Sequence, residues 1–151
     1  MRIGNDPIPN LFEASEFVIG QGRIALSGKD VTLVSTGSIT SYAVLAAEEL
    51  HSRRISVELL VMPTVAPIDQ KLLLKSVQKT ERVVTLEEHY VIGGLGTIVQ
   101  EIVAEHFPVR VKKLGLPHGY TTTGPYSELI AYYKLDIAGI VGSIETFLHN
   151  A

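Results

Sequence analysis

Residues 82–99 read RVVTLEEHYVIGGLGTIV, and the change of period inside this stretch decides the fold. Arg82 to Glu88 is an apolar, β-branched run ending in two acids, the pattern of a strand buried on both faces. From Gly93 to His106, Leu95, Ile98, Val99, Ile102 and Val103 recur at helical spacing, so a helix follows the strand almost at once. Between them lie Glu87, Glu88, His89 and a cluster of glycines. That composition raises three readings: a catalytic centre, a phosphate cradle, or a strand packed tightly into a helix.

The same alternation extends in both directions. Upstream, FVIGQGRIAL reads as two short apolar pieces around the turn Gly20-Gln21-Gly22, and VTLVST as a strand buried on both faces. Thr40 to His51 reads as a helix with Val44, Leu45 and Ala47 inward, capped by Ser38 or Thr40. ISVELLVM is a further strand, stopped by Pro63 and Pro67. Asp69 is the expected N-cap of a helix that turns Leu72, Leu73, Ser76 and Val77 to one side. Downstream, Pro108 ends the central helix, and VRVKKLGL is a half-polar strand of the kind found near a sheet edge. A Thr-rich loop then leads to a short helix at Ser127 to Tyr133. The closing helix places Ile137, Ile140, Val141, Ile144 and Leu148 inward. Strands alternating with helices imply an α/β domain, a mostly parallel sheet covered on both faces.

Composition narrows the function classes. The chain of 151 residues suits one well-buried domain, with 46% apolar and 19% charged residues. A formal charge of −3 and the absence of basic runs argue against nucleic-acid binding. No apolar run is long enough for a membrane span. With no cysteine, disulfides and thiolate metal sites are excluded, and a cytoplasmic location is the expectation.

Ligands of open α/β sheets bind beyond the carboxyl ends of the strands. STGS, MPTVAP and EEHYVIGGLG stand at those positions. GGLGTIV opens a helix, where amides and dipole favour a phosphate. It fails the dinucleotide fingerprint, because Val99 replaces the third glycine and Lys112 and Lys113 end the next strand instead of an acid. Glycines that let the helix approach a neighbour closely, within the chain or at an interface with another chain, explain the cluster better. Adjacent strand residues point to opposite faces, so at most two of Glu87, Glu88 and His89 can converge. A glutamate on a helix end is favoured over a metal site. STGS lacks the P-loop pattern, and no G-x-S-x-G elbow is present.

The segments in order resemble one family. DVTLVSTGS, the PID before a helix, TLEEH…GGLG and the tail SELIAYYKLDIAGI together look like the C-terminal domain of transketolase-like, thiamine-diphosphate-dependent enzymes, from about Phe17 to Ile144. The resemblance implies a three-layer αβα fold with a five-stranded, mostly parallel sheet and one antiparallel edge strand. It divides the chain into a linker or arm at 1–16, following a pyrimidine-binding domain, and a transketolase C-terminal domain at 17–151. It implies a parent enzyme that transfers a two-carbon ketol unit between sugar phosphates, using thiamine diphosphate and Mg²⁺. In the family that cofactor binds between pyrimidine- and pyrophosphate-binding domains, so this domain alone is expected to bind none and to be inactive. Those domains, in the same chain or in a partner subunit, are the implied partners, in a homodimer. The resemblance offers Arg2 as a contact to the sugar phosphate, and guanidinium chemistry suits that role. It places Glu88, His89, Gly93, Gly94, Leu95 and Gly96 at an interface or close-packed junction. Deoxyxylulose-phosphate synthases and β subunits of 2-oxoacid dehydrogenases are the alternatives, together with a free-standing nucleotide-binding module. His89 in EEHYVIGGLG inclines toward split transketolases.

Overall fold

The computed structural model describes residues 17–150, so Arg2 and the 1–16 arm lie outside the described residues. Among the described residues, five strands and five helices follow one another. They are β1 (Arg23–Leu26), β2 (Val31–Ser35), α1 (Thr40–Ser52), β3 (Val57–Val61) and α2 (Gln70–Thr80). β4 (Arg82–Tyr90), α3 (Leu95–His106), β5 (Arg110–Leu116), α4 (Tyr126–Tyr132) and α5 (Ile137–His149) complete the domain. The sheet order is β1-β3-β2-β4-β5. All neighbours are parallel except β1, which pairs antiparallel with β3. The expected three-layer fold with one antiparallel edge strand is therefore present.

The layers follow from the crossovers. From β2 the chain moves outward to β3 through α1, then back across β2 to β4 through α2, and onward to β5 through α3. Parallel connections are right-handed, so reversing direction puts α2 and α3 on the opposite face from α1. Two cores result. Val31, Leu33, Leu59, Val84 and Leu86 meet α1 and α5 on one face, while Val34, Leu60 and Val83 meet α2 and α3 on the other. Burial on both faces explains why β2 and β3 read as uninterrupted apolar runs.

The local readings of the strand ends and of α1 and α5 differ: β1 begins only at Arg23, and β4 runs past Glu88 to Tyr90. α1 buries Ala43, Ala46, Ala47 and Leu50, leaves Val44 half-buried, and turns Leu45 outward at 49% exposure. Small alanines let the helix lie close to the sheet, and they set its face more than the bulkier leucine does. Neither Ser38 nor Thr40 caps α1. The N-cap is Ile39, without a side-chain bond, while the Thr40 hydroxyl lies 3.0 Å from that of Ser35. In α5, Phe147 is buried and Leu148 only half-buried. Asp69 does cap α2, accepting from Leu72 N–H at 3.0 Å, and Ser76 faces inward to meet Thr32 Oγ1 at 2.8 Å.

One charge is buried in β3. Glu58, 3% exposed, accepts from the Gly28 N–H at 3.2 Å and pairs with Lys79 of α2. Burial pushes its pKa up, but Lys79, the Gly28 N–H and the Ser76 hydroxyl outweigh it and hold the carboxyl below its ordinary value. A lowered folded pKa stabilises the fold above the ordinary value of 4.5 and stops doing so as pH falls through the folded value. The stability gap between the native chain and Glu58→Gln, read by urea unfolding, is thus expected to be full at pH 7 and to close as pH falls below the ordinary carboxylate value. A gap of constant size across that range would refute the assignment.

Candidate functional site

β2 and β4 are neighbours whose following connections leave in opposite directions, toward β3 and toward β5. Their carboxyl ends therefore frame the switch point where an α/β sheet opens a ligand crevice. Two turns meet there, Thr36 to Ile39 after β2 and Val91 to Gly94 after β4. They form the turn portions of the STGS and EEHYVIGGLG segments singled out in the sequence.

β4 remains extended through Tyr90, so its acids alternate faces. Glu87, 2% exposed, turns toward α3. Its Oε2 accepts from Leu95 N–H at 2.7 Å and its Oε1 from Gly96 N–H at 2.8 Å. One carboxylate thus satisfies two amides that the helix start leaves without partners, and its charge complements the dipole. Glu88 turns to the other face, where it accepts from the Ser38 hydroxyl beside the start of α1. The Tyr126 phenol joins this pair from the start of α4. Burial first, and then its bond to Glu88, push the phenol above its ordinary pKa. His89 points outward, its Nδ1 3.2 Å from the Tyr90 carbonyl oxygen. Glu87, Glu88 and His89 therefore diverge. Among the described residues no group of three His, Asp or Glu side chains is placed to hold a metal ion.

The glycines have separate reasons. Gly93 lies at φ +80° and a Cβ there would meet nothing, so backbone conformation alone requires it. Gly94 has ordinary extended dihedrals, but a Cβ would stand 2.0 Å from Glu87 Oε2. At Gly96 a Cβ would come within 2.7 Å of Thr85 Oγ1 and 2.6 Å of the Lys113 side chain. Close approach within the chain accounts for both. Leu95 between them is buried in the core.

The rim of this end carries apolar and aromatic side chains. Ile92 is 62% exposed, and Tyr120, next to Gly119, stands free of the surface. Tyr90 packs its ring against those of His89 and His118 and donates its hydroxyl to the Gly119 carbonyl at 3.1 Å, tying the Thr-rich loop to β4. Sequence reasoning missed Tyr126 as a member of this end. It lies in no motif, and only the return of the chain from β5 brings it beside Glu88.

No helix among the described residues is long and apolar enough to cross a membrane. Comparison with known proteins converges on one family. A family model described as the transketolase C-terminal domain matches residues 20–140. One of the subunits of an apulose-4-phosphate transketolase from Phocaeicola vulgatus is 34% identical over 142 residues, covering 93% of this chain and 45% of that protein. A 1-deoxy-D-xylulose-5-phosphate synthase of Geobacter sulfurreducens is 34% identical over 143 residues, covering 93% of this chain and 22% of that protein. A split-gene transketolase, solved as an inactive β4 tetramer, superposes with a TM-score of 0.88 at 36% identity, covering 94% of this chain and 47% of that one. The chain thus spans less than half the length of these relatives. The matched residues and the close superposition agree: the chain belongs to the transketolase C-terminal domain family.

Proposed function

We propose that this chain supplies the non-catalytic, assembly-forming C-terminal domain, residues 17–151, of a transketolase-like enzyme. In that reading 1–16 is the arm that follows a pyrimidine-binding domain, and Arg2 in it contacts the substrate phosphate. The full enzyme transfers a two-carbon ketol unit between sugar phosphates. Thiamine diphosphate and Mg²⁺ are held by its pyrimidine- and pyrophosphate-binding domains.

The observation that carries the reading is the filled switch point. Glu87 takes the α3 amides that would otherwise receive a phosphate, and Glu88, Ser38 and Tyr126 fill the space beside α1. Both carboxylates would repel a diphosphate, so these residues do not fit the cofactor, and no step of the chemistry runs through them. The exposed rim suits docking instead. Ile92 and Tyr120 offer apolar and aromatic surface of the kind enriched at interface cores. His89 and Gly93 form the exposed crest of the β4–α3 turn, while Gly94, Leu95 and Gly96 hold that crest rigidly on Glu87. Glu88 supports it from the other face. A homodimer formed through this crest, with the other two domains alongside, is the proposed assembly. The β4 tetramer of the split-gene relative supports self-association by chains of this type.

The test is reconstitution. The 151-residue chain by itself is expected to leave a ketose phosphate unchanged, and the longer enzyme that contains this sequence to transfer its ketol unit. Ile92→Glu in the longer enzyme should lower its sedimentation coefficient at micromolar concentration while leaving the unfolding midpoint unchanged. Turnover by the 151-residue chain alone, or unaltered sedimentation of that variant, would contradict the proposal.

A further inference from the structure

A second feature lies on the flank of the domain, between the edge strand β5 and helix α5. An open trough of about 530 Å³ runs along it, within the size range of small-molecule sites. Alternation turns Arg110 and Lys112 of β5 toward α5, where an edge strand under a helix would ordinarily present apolar residues. α5 packs against α1 and stops short of covering them. Opposite the two cations the helix presents Gly142, where an added Cβ would meet nothing within 4 Å, and Ser143. Lys134, just before α5, closes the same trough.

The Arg110 guanidinium lies 4.9 Å from the Phe147 ring centre and donates to the Asn150 carbonyl at 2.8 Å, so it is braced, and it meets no carboxylate side chain among the described residues. Lys112 and Lys134 form no ion pair among the described residues. The acids of this helix are engaged elsewhere: Asp136 caps α5 by accepting from Gly139 N–H at 3.0 Å, and Glu145 pairs with Arg53. In a chain of formal charge −3, three cations around one concavity with no acidic side chain paired to them among the described residues are a local excess.

We propose that this trough binds a small phosphate-bearing anion, one carrying two or more negative charges. Arg110 and Lys112 receive it from the sheet side, Lys134 from the end, and Ser143 donates from the helix. Edge-strand lysines also deter strand pairing, but that role needs only projection into solvent. It does not call for a helix facing them with an empty glycine position. The proposal is independent of the functional reading above and shares no residue with the β4–α3 turn.

The experiment is calorimetric titration of the 151-residue chain with inorganic pyrophosphate at low ionic strength, repeated with inorganic phosphate and at higher salt. Pyrophosphate should bind more tightly than phosphate and weaken with salt. Lys112→Gln and Lys134→Gln should each reduce affinity about tenfold, as expected for loss of one charge-assisted contact. Gly142→Leu fills the trough without altering charge. It should abolish binding while the unfolding midpoint stays level or rises, because a helix-interior glycine is replaced by a strong helix former. Absence of pyrophosphate binding by the native chain overturns the proposal, as does binding within about twofold of native in both Lys112→Gln and Gly142→Leu. Ketol-transfer activity does not enter this readout, so its failure and the failure of the assembly reading are separable.

Discussion

Alanine in place of Glu87 is expected to destabilise the domain by about 3 kcal/mol, because two amides buried at the start of α3 lose their acceptor together. The helix also loses the negative charge at its N-terminus. For a chain of this size that corresponds to a fall in unfolding midpoint of roughly 6–12 °C, readable by calorimetry. Glutamine keeps one carbonyl acceptor and should lose about half as much. Gly94→Ala reaches the same outcome by another route, since its Cβ would occupy the position of the Glu87 carboxylate, 2.0 Å from Oε2. The two changes are therefore coupled: in the Glu87→Ala background, Gly94→Ala should add little. A coupling energy on the order of 1–3 kcal/mol is the expectation for residues in direct contact. Strictly additive losses would show that the carboxylate is not what excludes a side chain at Gly94.

The second large effect is expected far from that turn. Gly28→Ala brings a Cβ to 2.1 Å from the Val57 carbonyl carbon and 2.4 Å from the Glu58 nitrogen. These are backbone atoms of a central strand, which cannot swing aside as a side-chain tip would. The loop between β1 and β2 must lift, and the Gly28 N–H bond to the buried Glu58 goes with it. A loss of about 3 kcal/mol follows from the overpacking and the broken bond together. Gly124→Ala is the matched control. Its Cβ would meet Leu129 at an ordinary 3.7 Å, and the change should fall within about 0.5 kcal/mol of native in urea unfolding. Equal stability of the Gly28 and Gly124 variants would refute the close approach.

Much of the fold was legible because it is written in period. The uninterrupted run from Val31 to Ser35 could only be a strand covered on both faces, and the helical spacing from Leu95 to Val103 could only face a sheet on one side. Asp69 was legible as a cap because its bond to Leu72 is local, three residues along the chain. Readings failed where the deciding neighbour is remote. Leu45 looks like a core residue, yet the face of α1 is set by the closeness of α5 and the sheet, which only alanines allow. Ser38 looks like a helix cap, yet its hydroxyl goes to Glu88, fifty residues away.

The candidate site divides in the same way. Amino-acid order alone determined a strand with paired acids near its end, which runs on to Tyr90, and a glycine-rich start to the next helix. It also followed, from alternation along an extended chain, that the two acids must part. Tertiary structure alone decided what each acid meets: α3 amides for Glu87, and for Glu88 a serine from another turn and the phenol of Tyr126. It alone brought Arg110, Lys112 and Lys134 around one trough. The physical reason is one of range. Backbone periodicity and capping act over three or four residues and can be read along the chain, whereas the partner of a charge is whatever the crossovers return to its side.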